Sequence, residues 1–299
     1  MSDATSTVPW RALLAEAAAQ LGAAGIESAA NDARRLVEEV TGYEGAELVL
    51  VLGEPATERG VARFDELVAR RAAGEPLQYV LGRWSFRTLD LFVDRRVLIP
   101  RPETEVVAGL AIDELARRRA GAAPGSPRAR AADLGTGSGA IALSIAVECD
   151  GVDVWATDRS ADALAVARSN LAGIGRRATA VTLAEGSWFE ALDPALAGTL
   201  DVIVANPPYV AVADDLPADV ADWEPTGALI AGPRGIEDLE HLVDHAARWL
   251  TPSGVLVLEL APQQAGAIAA RARSVGFAEA DVVADLTGRD RAVVARCPG

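Results

Sequence analysis

The stretch RAADLGTGSGAIALSIAV, residues 130–147, decides the fold. Residues 130–134 read as a short strand, and Asp133 is followed by Gly135, Thr136, Gly137, Ser138 and Gly139 before an apolar helical run over 140–147. Strand, glycine loop and helix in that order let the backbone approach a ligand closely, and the helix N-terminus favours a nucleotide-like group.

Working outward, a second strand over 152–157 ends at Asp158, 23 residues beyond Gly135. A carboxylate there can hold both hydroxyls of a ribose. Gly135, Gly137 and Ala140 also satisfy the dinucleotide pattern with alanine last, so the loop alone does not separate a nicotinamide dinucleotide from S-adenosylmethionine. Strand and helix patterns continue to alternate, with strands over 178–184, 200–205 and 254–259, then 277–284 and 291–296 joined by a short connection that makes the last two antiparallel. Alternation of this kind predicts a parallel, doubly wound sheet with its ligand at the carboxyl ends of the strands.

After the fourth strand of that series come Asn206, Pro207, Pro208 and Tyr209. An amide or exocyclic amino nitrogen attacks poorly because its lone pair is delocalised, so it must be held and polarised. Asn206 offers a side-chain acceptor, Pro207 a backbone carbonyl, and the prolines fix φ near −65° so that both oxygens converge on one NH₂. Tyr209 can stack on the planar group. The plain alternative is a proline-stiffened turn. Placed after the fourth strand and downstream of the glycine loop in the same sheet, the tetrapeptide favours S-adenosylmethionine over the dinucleotide, and with it methylation of a planar nitrogen.

Composition bounds the partners. The 299 residues carry 28 basic and 43 acidic side chains, every basic one arginine, for a net charge of −15. Such a surface repels phosphate backbones and argues against stable nucleic-acid binding. Cys149 and Cys297 stand in no metal spacing, residues 1–9 lack an apolar leader core, and no run reaches membrane-spanning length. The expectation is a cytoplasmic protein without a membrane segment.

The beginning of the chain reads as helices over 9–24, 31–41, 46–52 and 57–73, with Leu13, Leu14, Ala17, Ala18, Leu21, Leu36, Val37, Val40, Val61, Phe64, Leu67 and Val68 inward. Residues 79–99 are β-branched and aromatic and predict a hairpin turning over 87–90. Pro102 and Glu103 start a helix reaching residue 119, and 121–128 is a surface connection. The expected division is 1–76 helical, 77–100 a hairpin linker and 101–299 the catalytic domain.

These residues carry a family resemblance. EPLQY from Glu75 with Gly82, LIPRPETE from Leu98, DLGTGSGAIAL from Asp133, WFEAL from Trp188, NPPYV from Asn206 and EPTGALIAG from Glu224 together resemble the bacterial release factor glutamine methyltransferases over residues 10–296. The resemblance implies an α/β class I S-adenosylmethionine-dependent methyltransferase fold: a Rossmann-like, seven-stranded sheet with its last strand antiparallel, plus a small N-terminal helical domain that docks the substrate. It implies S-adenosyl-L-methionine as methyl donor and a class-1 peptide chain release factor as partner, methylated at N5 of the glutamine in its Gly-Gly-Gln loop.

Carried over residue by residue, Gly135, Thr136, Gly137, Ser138 and Gly139 wrap the donor, Asp158 its ribose, and Trp188 packs beside adenine, unless Trp188 is a core aromatic beside Phe189. Asn206 touches donor and substrate, Pro207, Pro208 and Tyr209 complete the glutamine pocket, with Asn206, Pro207 and Tyr209 as the catalytic set, and residues 101–104 lie near the donor. Ser187 departs from the acidic residue common there, and Leu260 and Ala261 replace a common glycine. No metal is expected: His241 and His245 lack a third ligand. Asp214, Asp215, Asp219, Asp222 and Glu224 read as one mobile acidic loop over the pocket. Three rival readings differ in the target: a ribosomal-protein glutamine, an amino group on nucleic acid, or no turnover at all in a binding protein that keeps the fold.

Overall fold

The computed structural model describes residues 7–121, 123 and 125–299; the polar start of the chain, apart from Thr7, Val8 and Pro9, and residues 122 and 124 of the 121–128 connection lie outside them. The chain forms two compact units, Met1–Gly82 and Arg83–Gly299.

The first unit is helical: α1 (Trp10–Ala23), α2 (Ala29–Thr41), α3 (Gly45–Val51), α4 (Glu58–Ala72) and α5 (Leu77–Leu81). Its core is the apolar stripe expected from the 3.6-residue period, with Leu13, Ala17, Leu21, Leu36, Val37, Phe64, Leu67 and Val68 buried, and with Leu14, Ala18, Val40 and Val61 packed against it. Trp10 meets Phe64 edge to face at 5.9 Å. The Thr57 hydroxyl caps α4 by accepting from the Gly60 N–H at 3.1 Å. Residues 77–81 correct the expected hairpin: Pro76 opens a helical turn and Gly82, at φ 71°, closes it.

In the second unit the hairpin is shorter than expected, β1 (Arg83–Phe86) and β2 (Leu89–Phe92), turning on Arg87 and Thr88. Residues 93–99 leave strand geometry because their backbone is engaged elsewhere. Val97 N–H donates to the Asp94 carbonyl, Arg96 pairs with Asp94 at 2.6 Å, and Ile99 N–H donates to Glu224. Next is α6 (Pro102–Ala120), with Pro102 in its first turn beside Glu103 and Glu105, and with Arg117, Arg118 and Arg119 in its last turn, matching the helix dipole at both ends.

Then follow β3 (Ala129–Leu134), α7 (Ala140–Glu148), β4 (Val152–Asp158), α8 (Ala161–Gly173), β5 (Val181–Glu185), β6 (Leu200–Ala205), β7 (Val210–Ala211), α9 (Ala218–Ala221), β8 (Ile230–Gly232), α10 (Glu237–Ala246), β9 (Leu250–Glu259), α11 (Ala265–Ser274), β10 (Glu279–Ala284) and β11 (Asp290–Arg296). Seven strands make one sheet in the order β10-β11-β9-β6-β3-β4-β5, and only the β11 pairings are antiparallel. β5 begins later than its sequence pattern predicts because residues 175–180 form a 3₁₀ turn, and β9 begins earlier. Val202, Ile203, Val204 and Ala205 of β6 and residues 255–258 of β9 are wholly buried, as central parallel strands covered on both faces must be.

Candidate active site

β6, β3 and β4 are neighbours in the sheet, and β3 is where the strand order reverses. Open α/β sheets bind ligands at that switch point, outside the carboxyl ends of the strands. The glycine loop follows β3, Asp158 ends β4 and Asn206 follows β6, so all three converge there.

The loop is fastened across the sheet. Gly135 and Thr136 N–H groups both donate to the Thr157 carbonyl, at 2.9 and 2.8 Å, and Gly137 N–H donates to Asp158 Oδ2 at 2.9 Å. The other Asp158 oxygen accepts from Ser160 N–H at 2.9 Å, so the carboxylate is already oriented. Gly135 has φ 78°, and a Cβ there would meet Trp188 Cζ3 at 3.2 Å, so only glycine fits. Beneath the loop, Asp133 is fully buried and accepts from Thr136 Oγ1 at 2.6 Å and Ala142 N–H at 3.1 Å; burial pushes its carboxyl up to about 7.

Trp188 sits at φ 45°, a conformation uncommon outside glycine. Its indole N–H donates to Asp238 Oδ1 at 3.3 Å, and burial holds the Asp238 carboxyl above the usual range. The ring both lines the cavity and packs on the core.

Asn206 Nδ2 donates to Thr104 Oγ1 at 3.2 Å. That bond occupies the nitrogen end of the amide and leaves the oxygen as the acceptor. Pro207 and Pro208 are buried, and Tyr209 lies against the core with its hydroxyl 3.5 Å from Glu259 Oε1. Burial pushes the Tyr209 phenol up to about 12 and the Glu259 carboxyl up to about 7. The Tyr209 carbonyl accepts from Gln264 Nε2 at 2.9 Å, and the same nitrogen donates to the Gly235 carbonyl at 2.8 Å.

A cavity of about 230 Å³ joins these parts. Its walls include Gly135, Thr136, Gly137, Ser138, Asp158, Trp188, Asn206 and Pro208, together with Thr104 and Ser187. Gly139, Pro207 and Tyr209 are not among its lining residues; Gly139 caps α7 with φ 87°, and a Cβ there would meet Leu143 Cδ1 at 3.1 Å.

Several contributors were not read from the sequence. Asn170 is buried in α8 and donates to the carbonyls of Ser138 and Phe92 at 2.8 and 3.0 Å, tying the glycine loop to the hairpin. Asp238 and Gln264 carry no motif. Glu259 carries a faint one, a carboxylate directly after the apolar run Val255 to Leu258 on the ligand side of the sheet. The acidic-loop reading is corrected at Glu224: Asp214, Asp215, Asp219 and Asp222 are exposed, but Glu224 is buried, accepts from Ile99 N–H at 3.0 Å and pairs with Arg101. His241 and His245 lie with tilted rings, centroids 4.4 Å apart, beside Phe189, and no metal-holding group is present among the described residues. No helix of the described residues is long and apolar enough to cross a membrane.

Comparison with known proteins adds the lineage. Residues 12–82 match the model of the PrmC N-terminal domain, and residues 120–221 match the methyltransferase small domain. A release factor glutamine methyltransferase of Deinococcus radiodurans is 40% identical over 290 residues, covering 97% of this chain and 99% of its own. The chain belongs to the release factor glutamine methyltransferase family. A second member, from Bifidobacterium longum, is 38% identical over 93% of this chain and 96% of its own. A solved methyltransferase of Pyrococcus furiosus, 18% identical, superposes with a TM-score of 0.51 over 81% of this chain and all of its own, a likeness of fold. The family is one of enzymes, and the second unit has its class I methyltransferase fold: a seven-stranded sheet in which only β11 runs against the rest.

Proposed function

We propose that this enzyme transfers a methyl group from S-adenosyl-L-methionine to the side-chain amide nitrogen, N5, of the glutamine in the Gly-Gly-Gln loop of class-1 peptide chain release factors. The observation that carries the reading is the Asn206 amide, committed through its nitrogen to Thr104 on the wall of the cavity that holds the glycine loop.

The residues fit the donor. Gly135 and Gly137, at φ 78° and 56°, form a cradle whose floor is bare backbone, Asp158 presents a carboxylate to a ribose, and Trp188 offers an aromatic face to adenine. In this reading Gly135, Thr136, Gly137, Ser138, Gly139, Asp158, Trp188 and Asn206 hold the donor. When bound, S-adenosyl-L-methionine supplies a methyl group on a positively charged sulfur that leaves as a neutral thioether.

Asn206 and the Pro207 carbonyl each accept one N–H of the glutamine amide, which aims the nitrogen lone pair along a single direction. Pro208 and Tyr209 complete the pocket. Holding both reactants in line contributes up to about 7 to 11 kcal/mol, and no base of unusual strength is needed because the nitrogen becomes acidic as the N–C bond forms and sheds its proton afterwards. The helical unit, matched by the PrmC N-terminal domain model, is the part we assign to docking the release factor. The substrate class fixes the compartment as the cytoplasm, and the net charge of −15 disfavours stable nucleic-acid binding.

Mass spectrometry of a release factor incubated with enzyme and donor tests the reading. One added methyl group on the loop glutamine is expected, and none with Asn206→Ala, whose donor affinity falls far less than its turnover. Transfer to a ribosomal protein or to a nucleic-acid base in place of the release factor would overturn the substrate, and near-normal turnover by Asn206→Ala would overturn the site.

A further inference from the structure

We infer that Arg159 is a positioning residue that latches a strap, residues 225–228, onto the donor cavity and so sets how fast the donor enters and the spent product leaves. The inference rests on the proposed reading of that cavity as the donor's seat. The strap is fixed at both ends. At one, buried Glu224 accepts from Ile99 N–H at 3.0 Å and pairs with Arg101, while the Arg95 guanidinium lies over the Trp223 ring, 5.6 Å from its centroid. At the other, the Leu229 carbonyl accepts from Val210 N–H at 3.0 Å, and β8 continues beside β7 directly after the tetrapeptide. Between these anchors Ala228 N–H donates to the Pro225 carbonyl at 2.8 Å and Leu229 N–H to the Thr226 carbonyl at 3.1 Å, so the middle is a self-contained 3₁₀ turn.

That turn is part of the cavity wall, lined by Pro225, Gly227 and Ala228. A side chain from the donor side fastens it: Arg159 Nη2 donates to the Gly227 carbonyl at 2.7 Å. Arg159 directly follows Asp158, lines the same cavity and is exposed, so the latch stands beside the ribose carboxylate at the water's edge. A charge-assisted bond is strong enough to hold a short turn in place, and at an exposed position water can replace it when the turn lifts. The fit is close, since a Cβ on Gly227 would meet Arg159 Nη2 at 2.9 Å; the bare glycine is what lets the guanidinium reach the carbonyl. In this arrangement Arg159 grips the strap and not the donor. Breaking the bond therefore lowers the barrier to passage in both directions, and entry and exit quicken together while their ratio, the affinity, holds. Loss of a residue that gripped the donor itself would quicken exit alone.

Stopped-flow tryptophan fluorescence on the full chain tests this, following S-adenosylmethionine as it binds and as excess S-adenosylhomocysteine displaces it. Arg159→Ala removes the latch from one side, and Gly227→Ala pushes the guanidinium off the carbonyl from the other. Each is expected to raise the association and dissociation rates alike, by about tenfold, the scale of one charge-assisted hydrogen bond, with the equilibrium affinity kept within about threefold. The double variant is expected to be no faster than either single one, because both changes break the same bond. Should Arg159→Ala not fold, Gly227→Ala decides alone. Rates unchanged from the wild type, a dissociation rate that rises without the association rate, or effects of the two substitutions that multiply in the double variant would overturn the inference. A wild type that binds no S-adenosylmethionine would overturn the donor reading of the cavity itself, and the inference with it.

Discussion

Trp188 closes over Gly135 so tightly that one added carbon on the glycine would come within 3.2 Å of the indole ring. Gly135→Ala also forces an alanine to φ 78°, which costs about 1 to 2 kcal/mol before any clash is counted. The loop must shift or the indole must swing away, and either one opens the donor cradle. Calorimetric affinity for S-adenosylmethionine is expected to fall at least about tenfold, with the melting temperature reduced only modestly.

Asp238 holds the indole that closes this site. Asp238→Ala leaves the part-buried Trp188 N–H without its partner, a loss of about 1 kcal/mol. Weaker donor binding and a red-shifted tryptophan emission are the expected readouts. Asp238→Asn, which keeps an oxygen in reach, restores most of the affinity.

Gln264 makes three hydrogen bonds around the acceptor side: two donated to the Tyr209 and Gly235 carbonyls and one accepted from Ala261 N–H at 3.0 Å. Gln264→Ala frees all three backbone groups at once. Stability is expected to drop by about 2 kcal/mol in denaturant titrations, and kcat to drop with little change in donor affinity, since the glycine loop is untouched.

Asp133 gives stability a pH dependence of defined sign. Its carboxyl is pushed up to about 7 by burial, so between its ordinary value of 3.8 and about 7 the folded chain holds a proton that the unfolded chain has lost. The stabilising term is complete below the lower value and is lost as pH rises through the upper one. Asp133→Asn lacks this term. The stability difference between variant and wild type is therefore expected to move in favour of the variant by roughly 2 to 3 kcal/mol between about pH 5 and pH 8, as read by urea unfolding at each pH. A difference that stays constant across that range would refute the assignment.

How much of this was legible depended on how far each residue reaches. The glycine loop and β6 were legible because their signals are local: a run of loop glycines between strand and helix, and an unbroken apolar run from Val202 to Ala205. Residues 93–99 misled because the group that captures Ile99 N–H is Glu224, 125 positions away. Residues 77–81 misled because β-branched and aromatic content outweighed the Pro76 and Gly82 punctuation. The motif positions of the site were readable one by one, whereas the partners that aim them were not: Thr104 meets Asn206 across 102 positions and Asp238 meets Trp188 across 50, and no periodicity links such pairs.

The adjacency of β6, β3 and β4 has a consequence for heat. The spacing between the donor cradle, Asp158 and Asn206 is set by the ladder hydrogen bonds of three parallel strands at the middle of the sheet, where local opening is rarest. Warming therefore has no soft segment through which to disassemble the site piece by piece. The enzyme is expected to stay competent up to the melting of the sheet itself and to lose activity and fold at one temperature.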